Sequence, residues 1–565
     1  MDVSNLIQAI GNKECIEQML IRNQIYFLFS LILLIPFQGC SQNSQDAAIK
    51  HADSLRLRDI QSWNQSIPGN FSSQTKITFD SLEINKFLVQ YPDFNKFGES
   101  VRAFYRKRKM AYAWFDKEGL IEHAANLTDR ILNLKYEGLN EQMPYMQSLD
   151  SLLYESSLGK VTTASKVKLE LMLTAQYFAF ANLVWEGMDE QVLKEVDWHL
   201  PRKKVSYEQY LDSVLDADPA EFKENKQLVN RQYGLLRAYL QKYRNLEEKG
   251  NWFEINTSKT LRLGDSSEFV AQIKRRLFDL GDLEENGESQ VYDYELENAI
   301  KKFQKRHGLK DDGVIGKGTI AEMNISYKER IEQIIVNMER SRWVPVSQNE
   351  DYLLVNIPEF KLHVNSGDQL LWSCNVVVGK AIHKTVVFSG ELKYVVFRPY
   401  WNIPKSIVKN EVLKDMGRNK NYLNEHNMEV TGYREGLPVI RQKPGPSNSL
   451  GLVKFLFPNS YNIYLHDTPS KSLFNESDRA FSHGCIRVSE PVKLAQFLLR
   501  NDSAWDDDKI VAAMNTGTEK TVTLKDKVSV FIVYFTAFVD RGGEINFRKD
   551  IYDRDGRLAE MMMKK

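Results

Sequence analysis

A chain of 565 residues is too long for one core, because domains commonly hold about 100 to 200 residues, so three or four cores are expected. Its 42% hydrophobic and 27% charged content is that of ordinary globular protein and argues against disorder, collagen and a multi-pass membrane protein. The 75 Lys+Arg balance 75 Asp+Glu, which removes the electrostatic case for nucleic acid, and Cys15, Cys40, Cys374 and Cys485 lie too far apart for a disulfide scaffold or a CxxC zinc site.

In chain order, the first feature is the apolar run Ile25 to Phe37. It is shorter than the roughly 20 residues a bilayer crossing needs but fits the apolar region of an export signal. Arg22 supplies the positive flank, and Gln38-Gly39-Cys40-Ser41 follows. This arrangement resembles a bacterial lipoprotein signal, which implies lipidation at Cys40 and removal of residues 1–39. Met19 starts a more typical signal than Met1 does, so translation is expected to begin there. Residues 40–80 read as a polar tether. Residues 81–255 read as a helical scaffold, with Leu169, Leu173, Tyr177, Phe180 and Val184 spaced to share one helical face.

Residues 258–325 read as a compact module of three short helices. Val270, Ile273, Leu277 and Leu280 close at Gly281, Leu296, Ala299, Ile300 and Phe303 close near Gly308, and a third helix is expected from about Lys317. With Leu263-Gly264-Asp265, Phe303-Gln304, His307-Gly308-Leu309, Asp312 to Gly316 and Thr319 in this order, the module resembles the type-1 peptidoglycan-binding domain. The resemblance leaves sugar binding and a spacer role both open. A linking helix is expected over 326–349. Periodicity then changes to short β-branched and aromatic runs (Tyr352 to Ile357, Phe360 to Val364, Leu370 to Val378, Leu392 to Phe397), which predict a β-sandwich or open barrel over 350–515. A polar stretch over 408–438 reads as a flap inserted over a site, and 516–565 as C-terminal strands.

The chemistry is expected in Asn462 to Pro491. If Ser482 to Val488 is extended, period-two alternation puts His483, Cys485 and Arg487 on one side and sends Ile486 and Val488 into the core. A helix is predicted to follow, with Ser489 as N-cap and Pro491 in the first turn. A nearby helix N-terminus and a cation would favour thiolate over thiol. Backbone N–H groups around Gly484 and Cys485 could receive an oxyanion, an arrangement suited to acyl transfer. His466 is preferred to His483 as base, because same-face neighbours on one strand lie about 6 to 7 Å apart, whereas a histidine on an adjacent strand approaches sulfur more directly. Cys374, inside the apolar run WSCNVVV, reads as core. His363, His383 and His426 lack ligand spacing, so neither metal nor cofactor is expected.

His466 and Ser482-His483-Gly484-Cys485-Ile486-Arg487 resemble the signature of the L,D-transpeptidase catalytic domain, the YkuD-type fold. Phe397 to Pro404 and Pro444 to Gly451 resemble its larger YcbB-like branch, which joins a helical scaffold, a peptidoglycan-binding module and the catalytic domain. The resemblance implies a multidomain α+β protein with a mainly β catalytic domain. It further implies that Cys485 attacks the carbonyl between the third residue and D-Ala of a peptidoglycan stem and that a thioester forms. A neighbouring stem's amine then completes a 3→3 cross-link. His466 would be the base, oriented by the backbone carbonyl of Asp467, with His483 and Gly484 shaping the oxyanion region. Arg487, Trp401, Asn402, Tyr464 and Ser482 would contact substrate, and 408–438 would be the capping loop. The expected setting is a monomer in the periplasm, tethered through Cys40 to a membrane, the outer one being favoured, with peptidoglycan as partner and no nucleic acid. An L,D-carboxypeptidase using the same acyl-enzyme, or a non-catalytic anchoring lipoprotein, are the alternatives.

Overall fold

The computed structural model describes residues 77–563 except 117–118, 140, 160–161, 189, 201–205, 216–228, 286 and 345–349. The signal, Met19, Cys15, Cys40 and most of the tether therefore lie outside the described residues. Among the described residues, no helix is long and apolar enough to cross a membrane. The architecture is multidomain α+β, helical at first and β-rich towards the C-terminus.

The helical part is built around Thr163–Phe180, started by Thr162, whose hydroxyl accepts the Ser165 N–H. Every residue from Leu169 to Phe180 is buried, so this helix is a central rod and not the one-faced amphipath its spacing predicts. Burial is possible because its polar groups are matched. Glu170 accepts the N–H groups of Ala113 (2.6 Å) and Trp114 (3.1 Å) and the Tyr105 hydroxyl (2.8 Å). The core extends beyond the scaffold, taking in Ile331, Ile334 and Met338 of the Tyr327–Trp343 helix and Ala537, Val539, Ile545 and Phe547 from near the C-terminus.

The three-helix module appears as Glu268–Leu280, Tyr294–Arg306 and Lys317–Met323, capped by Ser267 and Asp293 at the first two N-termini. Gly281 takes a left-handed conformation after the first helix, as its place in the sequence predicts. At Gly308, a Cβ would stand 2.8 Å from Arg548, whose guanidinium donates to the Arg306 carbonyl (2.7 Å). The second helix's terminal turn thus docks on the C-terminal segment.

The β part closes on itself. β1 (Trp198–His199), from the end of the helical region, pairs with β5 (Val387–Phe397). The ring runs from β5 through β13 (Lys520–Val533), β2 (Asp351–Asn356), β3 (Lys361–Ser366), β4 (Gln369–Gly379), β12 (Ile486–Val488), β10 (Leu465–His466) and β9 (Val453–Leu456) back to β5. β13 therefore sits inside this sheet, between β5 and β2, and only β14 (Ala537–Val539) and β15 (Ile545–Phe547) form a separate hairpin, with the helix Asp555–Met563 last. Leu353, Val355, Leu362, Val364, Val376, Leu465, Ile486 and Val488 fill the inner face. The flap is more than a polar loop. Helical turns over 405–425 pack on the hairpin β7 (Met428–Arg434) and β8 (Leu437–Gln442), with β6 (Trp401–Asn402) joined to it, around Ile403, Val408, Val412, Met428 and Ile440.

Candidate active site

The expected single strand from Ser482 to Val488 is broken. β11 (Ala480–Ser482) runs parallel to β4, whereas β12 runs antiparallel to it, so the chain reverses over His483-Gly484-Cys485. Gly484 has φ +113°, a conformation L side chains rarely adopt, and a Cβ on the facing Gly379 would meet the His383 carbonyl at 2.0 Å. The Ser482 hydroxyl ties the turn, accepting the Gly484 N–H (3.1 Å) and donating to the Cys485 carbonyl (2.6 Å). From the other side, Thr385 Oγ donates to the Gly484 carbonyl (2.8 Å) and accepts the Gly379 N–H (2.9 Å). The Tyr552 hydroxyl donates to the Gly379 carbonyl (2.6 Å) and accepts the Thr385 N–H (3.2 Å). Neither Thr385 nor Tyr552 stands out in the sequence, because both are brought in by long-range contacts.

Register fixes the chemistry. β10 pairs with β12 so that His466 faces Arg487 and Leu465 faces Ile486. Leu465 and Ile486 point to the core, and by period two Tyr464, His466, Cys485 and Arg487 share the outward face. Cys485 is half-buried and diagonal to His466, with Tyr464 beside both: the Tyr464 and His466 ring centroids lie 5.7 Å apart. The thiol lies 3.5 Å from the Asn462 carbonyl oxygen and also meets Tyr464. His466 is buried, and its Nδ1 donates to the Asp467 carbonyl (2.5 Å), which leaves Nε2 as the acceptor nitrogen.

The electrostatics differ from the sequence reading. Burial pushes the Cys485 thiol above its ordinary range, and the opposing pull of Tyr464 and Arg487 does not reverse this. Burial, reinforced by the Arg487 guanidinium, lowers His466 to about 3. At neutral pH both groups rest uncharged. The expected help from a helix N-terminus goes elsewhere. The helix Pro491–Leu499 is preceded by Glu490 and not Ser489, with no side-chain cap, and Ser489 and Glu490 face Cys374. Burial drives that core thiol up to about 11 despite them. The oxyanion expectation narrows as well. The Gly484 N–H is engaged by Ser482, whereas the Cys485 N–H makes no hydrogen bond among the described residues and is available. The Tyr464 hydroxyl, held strongly protonated by burial and the adjacent thiol, touches both Cys485 and the Trp401 indole.

The remaining predicted residues separate into two groups. Trp401 lies on β6 beside the flap core and reaches Tyr464, while Asn402 is exposed. His483 is exposed; its Nε2 lies 2.9 Å from Glu411 Oε1 of the flap and its ring 5.1 Å from that of His383. It latches the flap beside the cysteine, and Glu411 is a contact that the polar composition of 408–438 could not single out. Arg487 is half-buried, its Nε is unpartnered, and no carboxylate pairs with it among the described residues.

The side chain of Asp467 also matters, although only its carbonyl was expected to. Its Oδ2 accepts the Leu452 N–H (2.8 Å), and its Oδ1 pairs with Lys471. Gly451, at φ +63°, leaves room for this carboxylate, since a Cβ there would stand 2.3 Å from Oδ2. Asn448, fully buried, fastens the same loop by donating to the Pro399 and Lys443 carbonyls and accepting the Leu450 N–H. Gly451→Ala should therefore displace Asp467 and, through its carbonyl, the imidazole. We expect a loss of about 100-fold in Cys485-dependent acylation with an unchanged circular dichroism spectrum. Wild-type acylation by this variant would show that the Asp467 contact does not position His466.

Residues 350–528 match the L,D-transpeptidase catalytic domain family, residues 99–240 a scaffold domain family, and residues 266–323 a family described as "Putative peptidoglycan binding domain". The chain thus carries an L,D-transpeptidase catalytic domain of the YkuD family behind a scaffold domain and a peptidoglycan-binding domain. A "Putative L,D-transpeptidase" of Haemophilus influenzae is 32% identical over 261 residues, covering 43% of this chain and 51% of that protein, so the chain spans about half the length of this curated relative. Solved L,D-transpeptidases from Xylanimonas cellulosilytica (16% identity, 49% of this chain and 100% of that one, TM-score 0.17) and Stackebrandtia nassauensis (17%, 49% and 97%, TM-score 0.21) are also similar. Likenesses with TM-scores this low bear no weight beside the family match.

Proposed function

We propose that the protein is an L,D-transpeptidase that joins peptidoglycan stems by 3→3 cross-links through a Cys485 thioester. The observation that carries this reading is the shared outward face of Cys485 and His466, with Nδ1 of the imidazole fixed on the Asp467 carbonyl and Nε2 free to take a proton, inside an L,D-transpeptidase catalytic domain. As the sulfur attacks the carbonyl of the third stem residue, the thiol proton passes to Nε2 and the carbonyl oxygen turns towards the Cys485 N–H. The same imidazole then gives the proton to departing D-Ala. An amine from a second stem attacks the thioester, its proton returning to His466 and the thiol re-forming. The unpaired Arg487 suits a carboxylate of the stem. The export signal and Cys40 support a lipid-anchored placement in the envelope, facing the periplasm. Incubating the protein with tetrapeptide muropeptides and resolving products by mass spectrometry tests the reading. Dimers are expected. Trimmed tripeptides alone would make the protein a carboxypeptidase, and unchanged substrate would overturn an enzymatic role.

A further inference from the structure

The cysteine is not the only place on this sheet face equipped for a ligand. A cleft of about 1230 Å³ opens where the helical region, the peptidoglycan-binding domain and the outward face of β2, β3 and β4 meet. By pairing and period two, its floor residues His363, Ser373 and Asn375 lie on the same side of the sheet as Arg487 and His466. The segment carrying Phe474 and Arg479 lies over that face, Asn375 Nδ2 donating to the Phe474 carbonyl (3.2 Å), and also lines the cleft.

Five arginines line it: Arg330 pairs with Glu322, and none of the other four has a carboxylate within ion-pair reach among the described residues. Arg231 is half-buried and makes no hydrogen bond among the described residues; burial and then the like charge of Arg541 disfavour its protonated form, and Asp368 and Asp540 offset this only in part. Arg541 reaches only the Asn365 amide oxygen, at 3.5 Å. Arg479 spends two nitrogens on the Glu476 and Phe360 carbonyls and leaves a buried Nε without a partner. Arg548 is bound to backbone carbonyls and the Asn546 amide. Of the lining carboxylates, Glu322 pairs with Arg330, Glu359 is held by His363 at 2.9 Å, Asp540 by the Glu544 N–H and Asn546, and Asp550 by the Tyr534 hydroxyl and the Asp555 N–H, while Asp311, Asp368, Glu476 and Asp478 stand exposed. Guanidiniums gathered in one cleft without a salt-bridge partner are a site for carboxylates, which arginine grips in a two-pronged fashion. Amides and the half-buried ring of Tyr352, which also line the cleft, suit a glycopeptide more than a bare ion.

We propose that this three-sided cleft is a second subsite, which holds a peptidoglycan strand by the free carboxylates of its stem peptides while another stem reacts at Cys485. This rests on the transpeptidase reading for the identity of the polymer. The test uses the Cys485→Ala protein, which cannot turn substrate over, titrated with a soluble disaccharide-tetrapeptide by calorimetry and heteronuclear NMR. Adding Arg541→Gln, at an exposed position, or Arg231→Gln with Arg541→Gln, is expected to weaken one binding event at least tenfold and abolish shifts at Ser373 and Asn375. The disaccharide without peptide, and inorganic phosphate, are expected to bind at least tenfold more weakly than the glycopeptide. Unchanged affinity in the double variant, equal binding of the bare disaccharide, or equal binding of phosphate would each overturn the proposal. Failure of the transpeptidase reading is seen separately, as the absence of any mass increase on Cys485 when the intact protein meets the tetrapeptide.

Discussion

Cys485→Ala is expected to abolish acyl transfer, by at least about 10⁴-fold, and His466→Ala to lower it by about 10² to 10⁴-fold, with neither change unfolding the catalytic domain. The two losses should not add, since each variant removes one end of a single proton transfer. The resting charges make the pH dependence distinctive. Burial raises the Cys485 thiol, and burial together with Arg487 lowers His466 to about 3, so the pair rests as thiol and neutral imidazole and not as an ion pair. A preformed thiolate–imidazolium pair would alkylate at a constant rate down to low pH. Here alkylation of Cys485 by iodoacetamide should climb steadily through pH 7 to 9, because the reactive thiolate is the minor form until pH passes the raised thiol value. Acid should not quench acylation near pH 6, since His466 stays a base down to about 3. A rate plateau beginning below pH 6 in the intact protein, lost in His466→Ala, would refute the neutral pair.

How much of this could be read in the sequence follows from the range over which each interaction acts. The three short helices announce themselves through local spacing and glycine stops, and Gly281 adopts the conformation that its place in the sequence requires. The inward alternation of Ile486 and Val488 and the placement of His466 on a strand adjacent to the cysteine are legible too, because strand period and reach are local quantities. What local pattern hides is the turn at His483 to Cys485, which exists because β4 pairs with one arm in parallel and the other antiparallel. The same holds for the thiol: the sequence distance from Cys485 to Pro491 suggests a helix N-terminus nearby, but the fold gives that position to Cys374. Thr385, Glu411, Tyr552 and the carboxylate of Asp467 reach the site only through long-range packing, so no motif marks them.

Glu137→Ala should be the most damaging substitution away from the active site. Its carboxylate is buried in the scaffold, accepting two hydrogen bonds from Arg130 (2.9 and 2.6 Å) and one from the Tyr233 hydroxyl (2.5 Å), with Arg237 Nε at 2.9 Å. Arg342 ties the Tyr327–Trp343 helix to the same centre, donating to the Val184 carbonyl (2.5 Å) and the Glu137 carbonyl (3.3 Å) while pairing with Glu339. Burial alone would raise Glu137, but the Arg130 and Arg237 guanidiniums outweigh it and hold the carboxyl at about 2. A folded value below the unfolded one means that the native state binds fewer protons, so this contribution is complete above about 4.5 and is lost as pH falls towards 2. Removing the carboxylate strands a buried guanidinium, at a cost of about 3 to 5 kcal/mol, and the scaffold's melting transition should fall by about 10 °C. The acid-induced fall in stability between pH 4.5 and 2 should flatten in the variant. Because the cost arises from the orphaned partner, replacing Glu137 and Arg130 together with Leu and Met should destabilise less than Glu137→Ala alone. Melting of Glu137→Ala within 2 °C of the parent, or an unchanged acid slope, would show that this cluster does not hold the scaffold together.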